Sequence, residues 1–293
     1  ETQGVAIESV ILASGAQPDA DKLRFVAGTL DGIAPLSKQW LQLVTFAGQY
    51  YQRSAGEVAL AALPPQLREI SGTQLARRLK RHAGSAQKAA PDATPADAVA
   101  AVALTPEQSA AIAQFHALSG PFLLFGATGS GKTEVYLQCV RDVLARDPQA
   151  QALLMVPEIN LTPQLEMRVR ERFAPLYGDD AVVSLHSGMT NPQRLKSWLA
   201  AHCGAARIVL GTRMAVFASL PGLKLIVVDE EHDPSYKQQE GARYSARDLA
   251  VYRGRLEGAK VILGSATPSL ETWHHSRPAA EGGRYQRLEM PAR

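Results

Sequence analysis

The sequence predicts an α/β fold, a parallel sheet covered by helices on both faces, preceded by a small α+β unit. Three observations carry this. From residue 104 onward, short continuous apolar runs alternate with amphipathic helical stretches, the pattern of strands buried on both faces. One of those runs, ending at Phe125, leads into a glycine-rich turn and then a helical pattern. Before residue 104 lies the stretch 83–103, in which ten of 21 residues are alanine and Pro91 and Pro95 interrupt any long helix. Such a stretch buries too little apolar surface to offset its ordering entropy, so it reads as a linker. The 293 residues therefore divide as 1–82, the linker 83–103, and 104–293, in keeping with roughly 150 residues per domain.

In the first unit, residues 5–12 and 23–30 read as strands about a turn-rich 14–21. Ser37 caps a helix carrying Trp40, Leu41, Leu43, Val44, Phe46, Ala47, Tyr50 and Tyr51, and a second helix over 56–63 stops at Pro64-Pro65. Aromatics at helical spacing form either a core face or a base-stacking one, and the pattern fits the core better. The alanine-rich 96–102 is compatible with a short helix. Further on, strands are expected at 121–125, 152–156, 181–185, 207–210, 223–228 and 260–263, with helices at 132–146, 162–173, 192–202 and 246–256. Ligands of open α/β sheets sit beyond the carboxyl ends of the strands, so the loops that follow these strands are where chemistry is expected.

Composition excludes several classes. Charged residues are 20% and hydrophobic ones 46%, a globular balance and neither a disordered nor a collagen-like one. Lysine and arginine total 31 against 28 acids, a net charge of +3, too small to mark a nucleic-acid binder by charge alone. Cys139 and Cys203 cannot build a disulfide framework or a four-thiolate zinc site, and they point to a reducing, cytoplasmic compartment. No apolar run approaches the roughly 18 residues of a membrane span, so no membrane partner is expected. The chain opens on Glu1 with no charged-then-apolar leader, as expected of a piece of a longer product.

Gly126-Ala127-Thr128-Gly129-Ser130-Gly131-Lys132-Thr133 matches the phosphate-binding loop pattern, placed between a strand and a helix as that pattern requires. Its glycines let backbone N–H groups turn toward a phosphate, and the helix N-terminus adds the positive end of its dipole. Lys132 suits the β and γ phosphates of ATP, and the Thr133 hydroxyl suits Mg2+. The apolar run from Leu225 ends in Asp229-Glu230-Glu231-His232, which puts carboxylates at the ligand edge of the sheet. Asp229 suits holding Mg2+, and Glu230 suits polarising an attacking water as general base. Glu231 and His232 are placed to relay the state of a γ-phosphate. Gly264-Ser265-Ala266-Thr267-Pro268 follows the strand at 260–263, with hydroxyls able to reach back to the 229–232 turn. Thr105, Pro106 and Gln108 spell a capping box, while the Gln108 amide also suits reading an adenine edge. Spacing leaves both roles open.

The order of Gln108, the 126–133 loop, Pro157-Glu158, Gly211-Thr212-Arg213, the 229–232 turn and 264–268 resembles the superfamily 2 helicases of the DEAH-like group. The wording between these motifs resembles the PriA family, primosomal protein N′. It is carried by Val156-Pro-Glu-Ile-Asn-Leu-Thr-Pro-Gln164, Leu185-His-Ser-Gly188 and Asp229-Glu-Glu-His-Asp-Pro-Ser-Tyr-Lys-Gln-Gln-Glu-Gly241. The likeness covers essentially all of 104–293 and, more weakly, 1–80. It implies a RecA-like P-loop domain (helicase lobe 1) after part of a domain that binds a nascent 3′ end. It also implies an ATP- and Mg2+-dependent 3′→5′ DNA helicase that recognises stalled replication forks and initiates replication restart. The implied partners are DNA forks, single-stranded DNA, other primosome proteins and single-strand-binding protein.

The resemblance also assigns residues. Pro157, Thr212 and Arg213 fall on the DNA backbone, and Ser265 and Thr267 on DNA contact or its coupling to hydrolysis. Residues 236–244 correspond to an aromatic-rich coupling loop, with Tyr236 and Tyr244 as stacking faces and Lys237 and Arg243 as phosphate charges. Two tyrosines packed at a helix start are the alternative, and Ala242 stands where an aromatic is expected. Whole family members carry zinc, for which this portion has no ligands. The family's winged helix is expected where only the 83–103 linker stands. Its second RecA-like lobe, which completes the ATP site, is expected after residue 293, so slow turnover is expected of these residues alone. Two other readings fit the same motifs, an ATP-driven duplex translocase and a fork-structure binding module with secondary ATPase.

Overall fold

The computed structural model describes residues 30–86 and 103–291. The strands expected at 5–12 and 23–30, the helix at 96–102 and most of the linker fall outside them. Of the first unit, three helices are described: α1 (Lys38–Tyr50), α2 (Ala55–Ala62) and α3 (Gly72–Ala86). α1 begins where its cap residue stands, the Ser37 hydroxyl accepting from the Trp40 N–H at 3.0 Å. α3 is a helix the sequence reading left unassigned, and its last turn takes in residues expected to belong to the linker. It holds its place with two residues one turn apart, Leu75, which is buried, and Leu79, half-buried.

The remaining residues form one seven-stranded parallel sheet in the order β3-β4-β2-β5-β6-β1-β7. The strands are β1 (Phe122–Gly126), β2 (Gln151–Met155), β3 (Val182–Leu185), β4 (Ile208–Gly211), β5 (Leu223–Val228), β6 (Lys260–Ser265) and β7 (Gln286–Met290). The first six lie within two residues of their expected ends. β7 was not expected: it is an edge strand whose Leu288 and Met290 are buried between exposed neighbours, so it lacks the continuous apolar run of the inner strands. The helices are α4 (Pro106–Ala117), α5 (Lys132–Arg146), α6 (Pro163–Tyr177), α7 (Asn191–His202), α8 (Ala246–Glu257) and α9 (Leu270–His275).

Successive side chains of a strand point to opposite faces, so the sheet separates two cores. Leu225 and Val227 face one core with residues of α4, α5 and α6, while Ile226 and Val228 face the other with α7 and α8. The first unit joins that second core. Trp40, 1% exposed, donates its indole N–H to the Phe217 carbonyl at 2.8 Å. Phe46 stacks on Tyr252, and the Ser245 N–H donates to the Tyr51 hydroxyl at 3.0 Å. Trp40 is thus a core side chain, and Phe46 and Tyr51 pack half-buried beside it, as their spacing favoured, while Tyr50 is 66% exposed.

Candidate active site

β1 and β5 run parallel with β6 between them, and all three release their loops at the same edge of the sheet. At that edge Gly126 closes β1, Thr128 is exposed, and Gly129 and Gly131 both take φ of +84°, a conformation that favours glycine. Gly131 is also where α5 starts. A side chain there would meet the Gln108 amide nitrogen, which donates to the Ser130 carbonyl at 3.4 Å. Gln108 meanwhile closes the capping box, its Oε1 accepting from the Thr105 N–H at 2.9 Å and its N–H donating to the Thr105 hydroxyl at 3.2 Å. Capping and loop contact therefore coexist in one buried side chain.

Lys132 is buried and curls back into its own loop, donating to the carbonyls of Gly126 (2.9 Å) and Ala127 (3.3 Å), with its ammonium 3.9 Å from Glu230 Oε1. Inside the same loop the Ser130 hydroxyl is buried without a hydrogen-bond partner among the described residues. A nest of glycine-bent backbone, a lysine and an orphaned hydroxyl at a helix start is the donor set a polyphosphate takes. Thr133 and Asp229 both line a small cavity of about 20 Å³. The loop fits the phosphates of a nucleotide, and the Thr133 hydroxyl and Asp229 carboxylate are oxygen donors of the kind Mg2+ takes.

Asp229 is itself held from three directions. Its Oδ1 accepts from the Tyr136 hydroxyl (3.0 Å) and the Glu230 N–H (3.1 Å), and its carbonyl accepts from the Tyr236 hydroxyl (2.6 Å). Oδ2 receives no hydrogen bond from the described residues. Burial and the neighbouring Glu230 push the Asp229 carboxyl above its usual range, against the opposing pull of Tyr136, the Glu230 N–H and Lys132. Burial, then Asp229, pushes the Tyr136 hydroxyl well up, so it remains a donor. Gly264 makes this contact possible: a Cβ there would sit 1.5 Å from the Tyr136 hydroxyl.

Glu230 adopts φ +45°, uncommon for a residue with a side chain, and its other oxygen lies 3.6 Å from His232 Nδ1. His232 Nδ1 meets the Ser265 hydroxyl at 2.8 Å and Nε2 meets Thr267 at 3.3 Å, and the Thr267 N–H donates to Ser265. The hydroxyls after β6 thus reach the turn after β5 as expected. Glu231, 1% exposed, points the other way. It accepts from the Ser269 N–H (2.7 Å) and hydroxyl (3.1 Å), from Thr272 (2.9 Å) and from Arg247 (3.3 Å), which anchors the start of α9.

The residues assigned to DNA divide. Lys237 and Arg243 are exposed, with the Lys237 ammonium over the Tyr51 ring. Tyr236 is 2% exposed and bonded to the Asp229 carbonyl, so it offers no stacking face, while Tyr244 is half-buried and packs edge-on against Phe217. This corrects the stacking expectation for Tyr236. Pro157 and Thr212 are buried as well, and Ser265 is fully buried against His232, so none of these three side chains presents a surface. Arg213 is half-buried, donating to Gln238 (2.7 Å) and the Ser235 carbonyl (3.1 Å) and lying 3.8 Å from Glu158, which also accepts from Ser187 (3.3 Å). It ties the loop after β4 to the loop after β5. Sequence reasoning missed Tyr136 and Arg247. The signal for Tyr136 was its position four residues after Lys132, on the same helix face.

Such a loop and carboxylate turn at one edge of a parallel sheet are those of a P-loop nucleotide-binding lobe, and the chain belongs to the DEAD/DEAH box helicases, whose family model matches residues 105–275. Its particular relatives are the replication restart proteins PriA. The one from Haemophilus influenzae is 43% identical over 65% of this chain and 25% of its own length. That from Bacillus subtilis is 42% identical over 59% and 20%, and that from Rickettsia felis 32% over 93% and 38%. The chain therefore spans between a fifth and two-fifths of these relatives. A second family model, the 3'DNA-binding domain (3'BD), matches residues 3–64, which include α1 and α2. Among solved structures, the DUF1998 helicase MrfA aligns over 72% of this chain and 32% of its own, at TM-score 0.47 and 19% identity. No helix among the described residues is long and apolar enough to cross a membrane.

Proposed function

We propose that this chain carries the ATP-hydrolysing lobe of a 3′→5′ DNA helicase that acts at stalled replication forks in replication restart. The observation that carries it is the meeting of Lys132 and Glu230 at 3.9 Å, across strands that the fold alone brings together. The 3'DNA-binding match at 3–64 and the PriA relatives support the choice of DNA with a 3′ end as substrate.

In this reading the backbone N–H groups of 129–133 take the phosphates, and Lys132 exchanges the carbonyls of Gly126 and Ala127 for the β and γ oxygens. Thr133 and Asp229 would hold Mg2+, which would neutralise charge developing on the phosphate oxygens. Oδ2 of Asp229 would be the oxygen available to it, since Oδ1 is occupied by Tyr136 and the Glu230 N–H. Glu230 accepts a proton from the attacking water. His232, between Glu230 and the pair Ser265 and Thr267, links the state of that carboxylate to the loop after β6. Strand contact reaches the site through Lys237 and Arg243, whose loop also carries Tyr236 and so grips the Asp229 carbonyl.

ATP hydrolysis and fork unwinding by the full-length protein test this. Lys132→Ala abolishes both, and Glu230→Gln lowers kcat by about 10²–10⁴ while nucleotide still binds. Hydrolysis indifferent to Lys132→Ala overturns the site. ATP use without strand separation favours a duplex translocase.

A further inference from the structure

α3 carries a charge asymmetry that neither the nucleotide site nor the packing of the first unit uses. From Gly72 to Ala86 its sequence holds Arg77, Arg78, Lys80, Arg81 and His82, and no acidic residue. Leu75 and Leu79 turn toward the core, and at 3.6 residues per turn Arg77 and Lys80 fall on the opposite side. There Arg77 and Lys80 are exposed, with Arg78 half-buried at the flank. None of these three forms an ion pair with a described residue. The short helix Asp179–Ala181 lies against α3, and its Asp180 has Lys196 at 3.8 Å. An ordinary solvated helix face interleaves acids with its bases at i,i+3 and i,i+4; this one sets like charges beside each other.

We infer that the outward face of α3 is a docking surface for the sugar-phosphate backbone of DNA, an inference that rests on the helicase reading above. Charge complementarity selects a polyanion. An anionic membrane surface would call for apolar side chains among the exposed cations, and the outward positions here hold Thr73, Gln74 and Ala76 beside them. Continuity selects DNA: α3 follows directly on the segment matched by the 3'DNA-binding domain and packs beside α7 on the same face of the sheet as α1. The face has no aromatic for base stacking, so it reads phosphates without reading sequence. Leu75, fully buried, fixes the helix, so the cations project from a rigid support.

The test measures binding of a forked DNA and a single strand across a salt series. It compares the full-length protein with Arg77→Glu/Arg78→Glu/Lys80→Glu and with the same positions changed to Gln. The charge-reversed protein is expected to bind about tenfold or more weakly at low salt, with a log–log salt slope smaller by about two to three. The loss is the same for unrelated sequences, the Gln variant lies between, and melting temperature and DNA-free nucleotide binding do not change. Unaltered affinity and slope overturn the inference, as does loss of binding to anionic vesicles with DNA binding intact. Failure of the helicase reading is separate and shows as hydrolysis that ignores Lys132→Ala.

Discussion

Asp229 shows how one carboxylate is made ready by its neighbours. Both hydrogen bonds to the side chain fall on Oδ1, one from Tyr136 and one from the Glu230 N–H, which leaves the other oxygen free for a cation. Tyr136→Phe removes the hydroxyl and leaves the ring packed. The carboxylate then loses a donor, worth about 1–2 kcal/mol. The Mg2+ concentration for half-maximal nucleotide binding rises about fivefold or more, while binding without metal and the melting temperature change little. A metal titration of nucleotide binding checks it, and an unchanged midpoint would mean that Tyr136 only fills space. The glycine-rich loop, Asp229, Glu230 and the capping role of Gln108 were legible because each lies within a short local pattern. The burial of Tyr236 was not, because a tyrosine beside Lys237 in an exposed-looking turn reads the same whether its ring points in or out.

At the scale of elements, α1 shows how the first unit is held. Its aromatic face was readable from helical spacing, but the surface it covers was not. Trp40 donates to the Phe217 carbonyl, which belongs to the turn after β4. Trp40→Phe leaves that carbonyl unpaired in the core and lowers stability by about 1–3 kcal/mol. Because α1 and the sheet share one core, the loss appears in a single unfolding transition followed by circular dichroism in urea. An early transition of α1 alone would show that the first unit folds apart from the lobe. β7 and α3 escaped the sequence reading for a common reason. Each buries only a thin line of apolar residues, Leu288 with Met290 and Leu75 with Leu79, too few to set a period.

Across the whole molecule, His202 ties the segment before α1 to the loop before β5. Its Nε2 meets the Ala34 carbonyl at 2.7 Å and so donates, and its Nδ1 meets the Ser219 hydroxyl at 2.8 Å. Burial lowers its pKa below the ordinary histidine value, against the pull of the Ala34 carbonyl. The unfolded chain therefore binds a proton more readily than the folded one. This contribution to stability is complete above the ordinary value of about 6.5 and is lost as pH falls from there through the lowered folded value. Urea unfolding between pH 8 and pH 5 is expected to show the decline, and His202→Gln to flatten that part of it. An unchanged pH profile in the variant would place the acid sensitivity elsewhere.

The sequence by itself determined the pieces: a strand, loop and helix that cradle phosphate, a strand that ends in carboxylates, a capped helix before them, and strands β1 to β6 with helices α5 to α8 to within a few residues. Those signals lie within a few positions of one another and follow from backbone period, glycine conformation and capping. Only the tertiary structure decided that β6 stands between β1 and β5, that α1 to α3 pack on the motor lobe, and that Tyr136 reaches Asp229 across 93 residues of chain. Contacts at such separation depend on which strands become neighbours, and strand order is a property of the packed sheet that no local pattern encodes.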